Sequence, residues 1–163
     1  MNPLEILKPL FKEIKAEAKI IPVKKIVLHR WTRLKCMHGC EMFGKSWSCP
    51  PATPDFNEAA NIISEYRRAF MIKLPGSLET QIKLQPLLLE MEKKLVSSGF
   101  YKAFVFFSAA CGFCKKCSYP EPCRKPVMKR PTLESFGIDV FETAKKAGFS
   151  FSRNHYFTIL LLE

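Results

Sequence analysis

The sequence predicts an α/β fold, in which a mostly parallel or mixed four-stranded sheet is flanked by helices and carries two cysteine-rich loops. Apolar residues at helical spacing alternate along the chain with short runs of aromatic and β-branched residues. Strands that alternate with helices are typical of βαβ units with right-handed crossovers, in which the strands are parallel. Both cysteine-rich stretches follow a predicted strand, where α/β folds usually carry their sites.

The chain is long enough for one domain, and we assign residues 1–163 to it. Its 163 residues, 47% of them apolar, can form a substantial core. No internal repeat, low-complexity tract or long linker divides the sequence. We expect the sheet and its helices to form two or three layers.

The first two predicted helices lie in the N-terminal half. The first has apolar residues at steps of three and four, namely Leu4, Leu7, Leu10, Phe11, Ile14 and Ala18. The second is predicted to begin with Thr53 as its N-cap and Pro54 at its first position, and to run towards Tyr66. Both helices are expected to pack against the sheet.

Two further helices are predicted from their caps. Ser77 begins the third and Gly99 ends it, while Pro86 inside it predicts a kink or a fresh start. Its buried stripe is predicted to consist of Leu84, Leu88, Met91 and Leu95. Asp139 begins the fourth helix and Gly148 closes it.

Four segments read as strands. The first covers residues 20–29 and contains Pro22, and the second covers residues 68–74. Residues 101–108 are aromatic and β-branched, which predicts a central strand. Residues 155–162 are apolar almost throughout, so this last strand is expected to be buried on both faces.

The seven cysteines are bunched into a first cysteine segment, residues 36–49, and a second, residues 111–123. Secreted disulfide frameworks usually have an even number of cysteines in a shorter chain. The N-terminus lacks the apolar block of a signal peptide, and no apolar run approaches the roughly 18 residues of a membrane span. We therefore predict a cytoplasmic protein without a membrane span, whose reduced thiols bind metal.

The second cysteine segment has the spacing C-x2-C-x2-C-x5-C, formed by Cys111, Cys114, Cys117 and Cys123. A C-x2-C-x2-C run is typical of [4Fe–4S] clusters, since two-residue gaps let thiolates surround one small centre. Ferredoxins place the fourth cysteine three residues later, directly before a proline, whereas here the gap is five residues and Pro126 is displaced. Cys123 could therefore close this cluster, which we favour, or serve another.

Zinc is the main alternative ligand for these thiols. Structural zinc sites use pairs of C-x2-C separated by a longer gap, which fits this spacing less well. Free or disulfide-forming thiols are a third alternative.

The first cysteine segment, with Cys36, Cys40 and Cys49, has one thiolate too few for a full cluster. Its C-x3-C-x8-C spacing differs from the C-x3-C-x2-C of radical enzymes that cleave S-adenosylmethionine. Three cysteines could leave one iron free for a substrate, a small thiol or a fourth protein ligand. His38 could be that ligand or an ordinary surface histidine.

Other residues of interest have structural alternatives. Trp47 could shield a cluster or pack in the core. His29 and His155 lie in strand-like runs and are expected to be packing residues.

The net charge of +11 is concentrated near the cysteines. Residues 51–100 contain as many acidic as basic residues, so the excess lies in the two flanking parts of the chain. The excess could surround anionic metal centres, contact an acidic redox partner, or simply keep the protein soluble. Nucleic acid is disfavoured because arginine is sparse and no basic stretch is interleaved with aromatic residues.

Three stretches carry a resemblance to a known family. They read CMHGCEMFGKSWSCPP, CGFCKKCSYPEPCRKP and RPTLESFGIDVFETAKKAG. Together they resemble an uncharacterised family of cysteine-rich predicted metal-binding proteins of bacteria and archaea. The resemblance implies metal binding of the iron–sulfur type through all seven cysteines, and it implies no reaction. The resemblance also suggests a role for Glu134, either as an acid close to the metal ligands or as a ligand at the position that the three cysteines leave open. The alternative is that Glu134 is an ordinary carboxylate in the first turn of a helix.

The leading hypothesis is an iron–sulfur protein with two [4Fe–4S] clusters, active in electron transfer or in redox chemistry at the three-cysteine cluster. One alternative is a zinc-binding interaction module. Another is an enzyme whose open iron binds a small substrate. The sequence leaves the reaction and the oligomeric state open.

Overall fold

Residues 2–150 and 154–163 are described by a computed structural model of the chain, in which four strands form one sheet. The strands lie in the order β1-β2-β4-β3, and each neighbouring pair is antiparallel. In chain order they comprise Glu17–Pro22, Arg68–Pro75, Phe104–Val105 and His155–Leu161. The predicted four strands with flanking helices are confirmed, whereas the predicted mostly parallel or mixed sheet is wrong because every neighbouring pair is antiparallel.

The position of β4 explains this difference. β2 and β3 run in the same direction, as the two strands of a βαβ unit do. β4 runs in the opposite direction and lies between them, so they do not pair with each other. The alternation of strands and helices along a sequence does not reveal such an insertion.

Five α-helices and two short 3-10 helices accompany the sheet in the described ranges. The α-helices, α1 to α5 in chain order, are Pro3–Glu13, Thr32–Gly39, Phe56–Ser64, Leu78–Ser97 and Val140–Lys146. The 3-10 helices are Val23–Lys25 and Glu134–Phe136. Among the described residues, no helix combines the length and the apolar character needed to cross a membrane.

Side-chain caps fix the starts of four α-helices, and Asn2 caps α1 by accepting Leu4 N–H at 3.0 Å. Ser77 caps α4 and Asp139 caps α5, as predicted, each by accepting a hydrogen bond from a backbone N–H in the first turn. α3 begins after Asp55 rather than at the predicted Thr53, because the Asp55 carboxylate accepts the N–H of Glu58 at 2.9 Å.

Helix α4 runs through Pro86 without interruption, so a fresh start at this residue is wrong. Its predicted buried stripe is confirmed for Leu88, Met91 and Leu95. These residues pack on the sheet, which stabilises the helix despite the backbone hydrogen bond that a proline removes.

The N-terminal part is close to the prediction, but its strand is shorter. Leu7, Leu10 and Phe11 of α1 are buried as expected. β1 ends at Pro22 rather than at residue 29, because the chain turns into the first 3-10 helix directly afterwards.

The last two strands differ in their surroundings. β4 is buried on both faces as predicted, since Leu160 and Leu161 belong to apolar clusters on opposite sides of the sheet. β3 is a two-residue edge strand, so the predicted central strand over 101–108 is wrong. The chain leaves the sheet after β3, and Phe107 N–H donates instead to Pro131 O at 2.9 Å.

The two apolar clusters define three layers. One cluster joins one face of the sheet to α1 and α4, and the other joins the opposite face to α3 and α5. The second cysteine segment leaves the edge of this framework after β3, while the first lies between β1 and α3.

Candidate metal centre

The second cysteine segment contains neither helix nor strand, and its four thiols face one small cavity. The cavity is lined by Trp47, Cys111, Phe113, Cys114, Cys117, Ser118, Cys123, Lys125 and Lys129. The structure therefore brings together the four cysteines of the C-x2-C-x2-C-x5-C pattern, Cys123 included.

Helix α4 holds the start of this segment. The buried Gln85 side chain accepts Gly112 N–H at 2.8 Å and donates to Ala110 O at 2.9 Å. A Cβ on Gly112 would lie 2.2 Å from Cγ2 of Ile82, a distance that no side chain allows. A glycine is therefore required here for the backbone to approach α4.

A largely buried ion pair holds the chain after the segment. Glu92 of α4 accepts Arg130 Nε at 3.0 Å and a second guanidinium bond at 2.5 Å. The same carboxylate accepts Val105 N–H of β3 at 2.8 Å. The Glu92 carboxylate thus binds both the strand that precedes the second cysteine segment and the chain that follows it, so it fixes the two ends of the segment together.

Trp47 belongs to the first cysteine segment but forms part of the wall of the second-segment cavity. Its indole N–H donates to Glu121 O at 2.9 Å, and its ring packs edge-on against Tyr119 at 5.1 Å. The Lys129 ammonium lies 4.6 Å above the ring. Trp47 therefore lies at the wall of this cavity and belongs to neither of the two apolar core clusters.

Hydrogen bonds converge on Cys117. Burial tends to raise the pKa of this thiol, but the net pKa is lowered because backbone N–H groups of Tyr119 and Trp47 donate to it. Ser118 N–H and the Ser46 side chain add to this effect. Cys117 is thus prepared to carry negative charge, as a metal-bound thiolate does.

Cys111 has a different environment. Burial raises the pKa of the Cys111 thiol, although a hydrogen bond from Phe113 N–H acts to lower it. The other three thiols of the segment also raise this pKa, which reflects how closely the four lie.

The three first-segment thiols also lie near one another, but in a different local structure from the one predicted. Cys36 is inside α2 and Cys40 directly follows this helix, so the predicted irregular loop is wrong for this part. Burial raises the pKa of Cys49 to about 11, and the neighbouring Cys40 and Cys36 thiols contribute. Cys49 is buried and Cys40 exposed, so the group extends from the interior to the surface.

Glu134 lies beside this first-segment group. Glu134 is part of the second 3-10 helix, and two hydrogen bonds join this helix to α2. Thr32 Oγ1 donates to Glu134 O at 3.3 Å, and the Arg33 guanidinium donates to Ser135 O at 3.0 Å. Burial is the largest cause that raises the pKa of Cys36, and the charge of Glu134 is the second largest. Burial also raises the pKa of Glu134, and no cation pairs with its carboxylate in the described part of the chain.

The histidines are less closely tied to the thiols. His38 is exposed at the end of α2 and forms no hydrogen bond or ion pair with another described residue. His29 was expected to be a packing residue, but it is exposed, because β1 ends before it, and its Nδ1 lies 3.1 Å from the Asp139 carboxylate. His155 is partly buried at the start of β4.

All seven cysteines are free thiols. Among residues 2–150 and 154–163, no three His, Cys, Asp or Glu side chains are arranged closely enough to hold a single metal ion. The structure thus groups the thiols without itself defining a ligand set.

Several residues of the site were not predicted. Gln85 and Glu92 position the second cysteine segment from α4, and Ser48 contacts it by accepting Cys111 N–H at 2.9 Å. The one signal in the sequence was the pair of serines around Trp47, directly before Cys49.

Comparison with known protein families identifies the chain. Residues 19–162, which include both cysteine segments, match the family described as predicted metal-binding protein (DUF2284). Comparisons with curated proteins and with solved structures gave no significant match. The predicted membership of a metal-binding family is confirmed: the chain belongs to the DUF2284 family of predicted metal-binding proteins.

Proposed function

We propose that this protein binds two [4Fe–4S] clusters and acts in electron transfer or in redox chemistry at the first-segment site. The observation that carries the proposal is the cavity lined by four thiols. Soft thiolates select iron–sulfur clusters and zinc. The spacing of the cysteines favours the cluster.

The surroundings of the cavity fit an anionic cluster. N–H groups donate to Cys117, and such bonds to cluster sulfurs tune the reduction potential. Lys125 and Lys129 line the cavity and supply positive charge next to the thiols. A bound [4Fe–4S] cluster would supply one-electron redox chemistry, while Trp47 would limit the access of water to it.

For the first-segment site we propose Cys36, Cys40 and Cys49 as ligands and Glu134 as the group at the fourth position. Glu134 is a partly buried carboxylate beside the Cys36 thiol, and it pairs with no cation among the described residues. Burial favours its protonated form, and a metal centre would displace that proton as it would displace those of the thiols. His38 is the less favoured candidate because it is exposed and forms no hydrogen bond or ion pair with another described residue. Displacement of Glu134 would open the position for a small substrate.

The proposal requires reduced thiols, and with it we propose a cytoplasmic location. All seven cysteines are free, which supports this view.

Metal analysis tests the proposal most directly. Protein purified without oxygen should contain about eight irons and about eight sulfides per chain, as two [4Fe–4S] clusters require. It should be brown and, after reduction with dithionite, should give EPR signals of reduced clusters. Tightly bound zinc without iron or sulfide would contradict the proposal and support a zinc-binding module instead.

We further propose that the surface around the second cysteine segment binds an acidic redox protein. Exposed cations lie in and directly after this segment, next to its cysteines in the chain, namely Lys115, Lys116, Arg124 and Lys125. Glu121 is the only acidic residue between residues 111 and 131. Opposite charges at such a surface accelerate encounter and position the partner.

Reversing two of these charges should slow reduction by an acidic partner. With a reduced acidic ferredoxin as the donor, Lys115→Glu combined with Lys116→Glu is expected to lower the second-order rate at low salt by about tenfold, because electrostatic steering is lost. Anaerobic stopped-flow absorbance measures this rate.

The matched control combines Lys24→Glu with Lys25→Glu, another exposed lysine pair that lies in the first 3-10 helix. It makes the same change of net charge away from the cysteine segments. Equal slowing in both variants would show that net charge, rather than this surface, determines the rate.

A further inference from the structure

The buried Ser48 side chain lies between the two groups of thiols, and none of its surface is exposed. Its hydroxyl oxygen accepts the N–H of Cys111, in the second segment, at 2.9 Å. The same oxygen lies 3.8 Å from the Sγ of Cys49, in the first segment. A single serine side chain therefore separates one cysteine of each candidate metal site.

Backbone groups hold this contact in place. Thr132 N–H donates to Ser48 O at 3.0 Å, and Cys49 N–H donates to Ser46 O at 3.2 Å. Ser48 N–H also donates to the Ser46 hydroxyl at 3.2 Å. Because Ser48 and Cys49 are both buried, the contact between the two groups of thiols is made through protein rather than through solvent.

The two groups meet the surface differently. The second segment carries exposed cations, among them Lys115 and Lys116, at the surface proposed above for an acidic redox protein. In the first segment, the cysteine that Ser48 contacts is Cys49, the buried member of its group. The Ser48 contact thus joins the site with the basic surroundings to the inner end of the three-cysteine site.

We propose that the second-segment site passes electrons directly to the first-segment site through the Ser48 contact. The inference rests on the proposed function, since both sites must hold clusters. A one-electron donor, such as a reduced acidic ferredoxin, is oxidised as it reduces the second-segment cluster. That cluster is reoxidised as the same electron reduces the first-segment cluster, and no covalent bond forms or breaks. Electron transfer slows steeply with distance, so the short contact at Ser48 favours this route.

EPR of the wild-type protein tests whether the two clusters are neighbours. In an anaerobic titration with dithionite, the first electron should give the spectrum of isolated reduced clusters. The second electron should add splitting or broadening, because two neighbouring unpaired spins interact. Two single-site proteins, Cys36→Ala and Cys123→Ala, should not show these added features.

Kinetics test the direction of transfer. Each protein is mixed with reduced acidic ferredoxin at low salt, and EPR is recorded on samples frozen at successive times. The first-segment signal should appear about tenfold more slowly in Cys123→Ala than in the wild type, because the donor is still steered to the basic surface but finds no acceptor there. In Cys36→Ala, the reciprocal control, the second-segment signal should appear at the wild-type rate.

Ser48→Ala tests the contact itself. It removes the acceptor of Cys111 N–H and should delay the first-segment signal without delaying the second-segment signal. Ser118→Ala is the matched control, because the Ser118 hydroxyl donates to Pro122 O within the second segment, and it should delay neither signal. If Ser48→Ala does not retain its clusters, Ser48→Gly removes the same hydroxyl.

The outcomes are distinguishable. Wild-type protein without iron and sulfide would overturn both the proposed function and this inference. Two loaded clusters without interacting spins, or equal rates of first-segment reduction in the wild type and in Cys123→Ala, would overturn the direct transfer alone. An unchanged time course in Ser48→Ala would overturn the role of Ser48 in that transfer.

Discussion

Cys123→Ala is expected to remove about half of the bound iron and sulfide, or about four of each per chain, because one complete [4Fe–4S] cluster would be lost. Cys123 lines the same cavity as Cys111, Cys114 and Cys117, and no first-segment cysteine lines that cavity. The remaining iron should therefore belong to the first-segment site. Iron and sulfide analysis, together with the EPR spectrum of the reduced protein, measures the loss.

The matched experiment is Cys49→Ala in the other segment. Cys49 is a buried thiol near Cys36 and Cys40, so its removal should affect the first-segment site and leave the second-segment EPR signal intact. If Cys123→Ala removed the first-segment signal instead, Cys123 would serve that site. If neither variant lost iron, the cysteines would not be the ligands.

Spacing along the sequence was sufficient to predict the second-segment group of thiols, because the contacts that form it are local. Two-residue gaps keep successive cysteines close in almost any turn, so little else is needed to bring the side chains together. The same is true of helix caps. Ser77 and Asp139 act on backbone groups three residues away, and both were predicted correctly.

Long-range contacts were not predictable in this way. Gln85 is 27 residues from Gly112, and Ser48 is 63 residues from Cys111, yet these pairs fix the second segment in place. Polar residues such as these have no period that marks them as part of a site. They become visible only when the fold brings α4 and the first cysteine segment to the same cavity.

The prediction of the strand directions was wrong for a related reason. Local pattern predicted β4 and its burial on both faces, because an apolar run is a property of the strand itself. The place of β4 between β2 and β3 depends on which edge remains free after the other strands have packed. A single sequence carries no direct record of that choice.

Gly112→Ala is expected to destabilise the apoprotein by about 1–3 kcal/mol, the usual cost of forcing an extra group into a packed region. The new methyl group would lie 2.2 Å from Cγ2 of Ile82, so either α4 or the second cysteine segment must move. Movement of the segment would also break the bond of Gly112 N–H to Gln85. We therefore expect lower iron content at the second-segment site, measured beside urea unfolding of the apoprotein.

Two further variants separate this local overlap from a general effect of alanine. Gly39→Ala is the matched control, because a Cβ at Gly39 meets nothing within 4 Å, and it should change neither stability nor iron content appreciably. Ile82→Ala removes the atom that Gly112→Ala would contact, and Ile82 is itself 37% exposed, so its own truncation should cost little. The double variant should then recover most of the stability and the iron lost in Gly112→Ala.

Whether the double variant recovers stability and iron shows whether α4 positions the second-segment thiols. If packing against α4 positions the thiols, the Ile82 and Gly112 substitutions must be non-additive, because they share one contact. Additive losses of stability and iron would show that Gly112 matters only for its own backbone conformation. In that case α4 would not determine the geometry of the second-segment thiols, and Gln85→Ala should then leave their iron content unchanged.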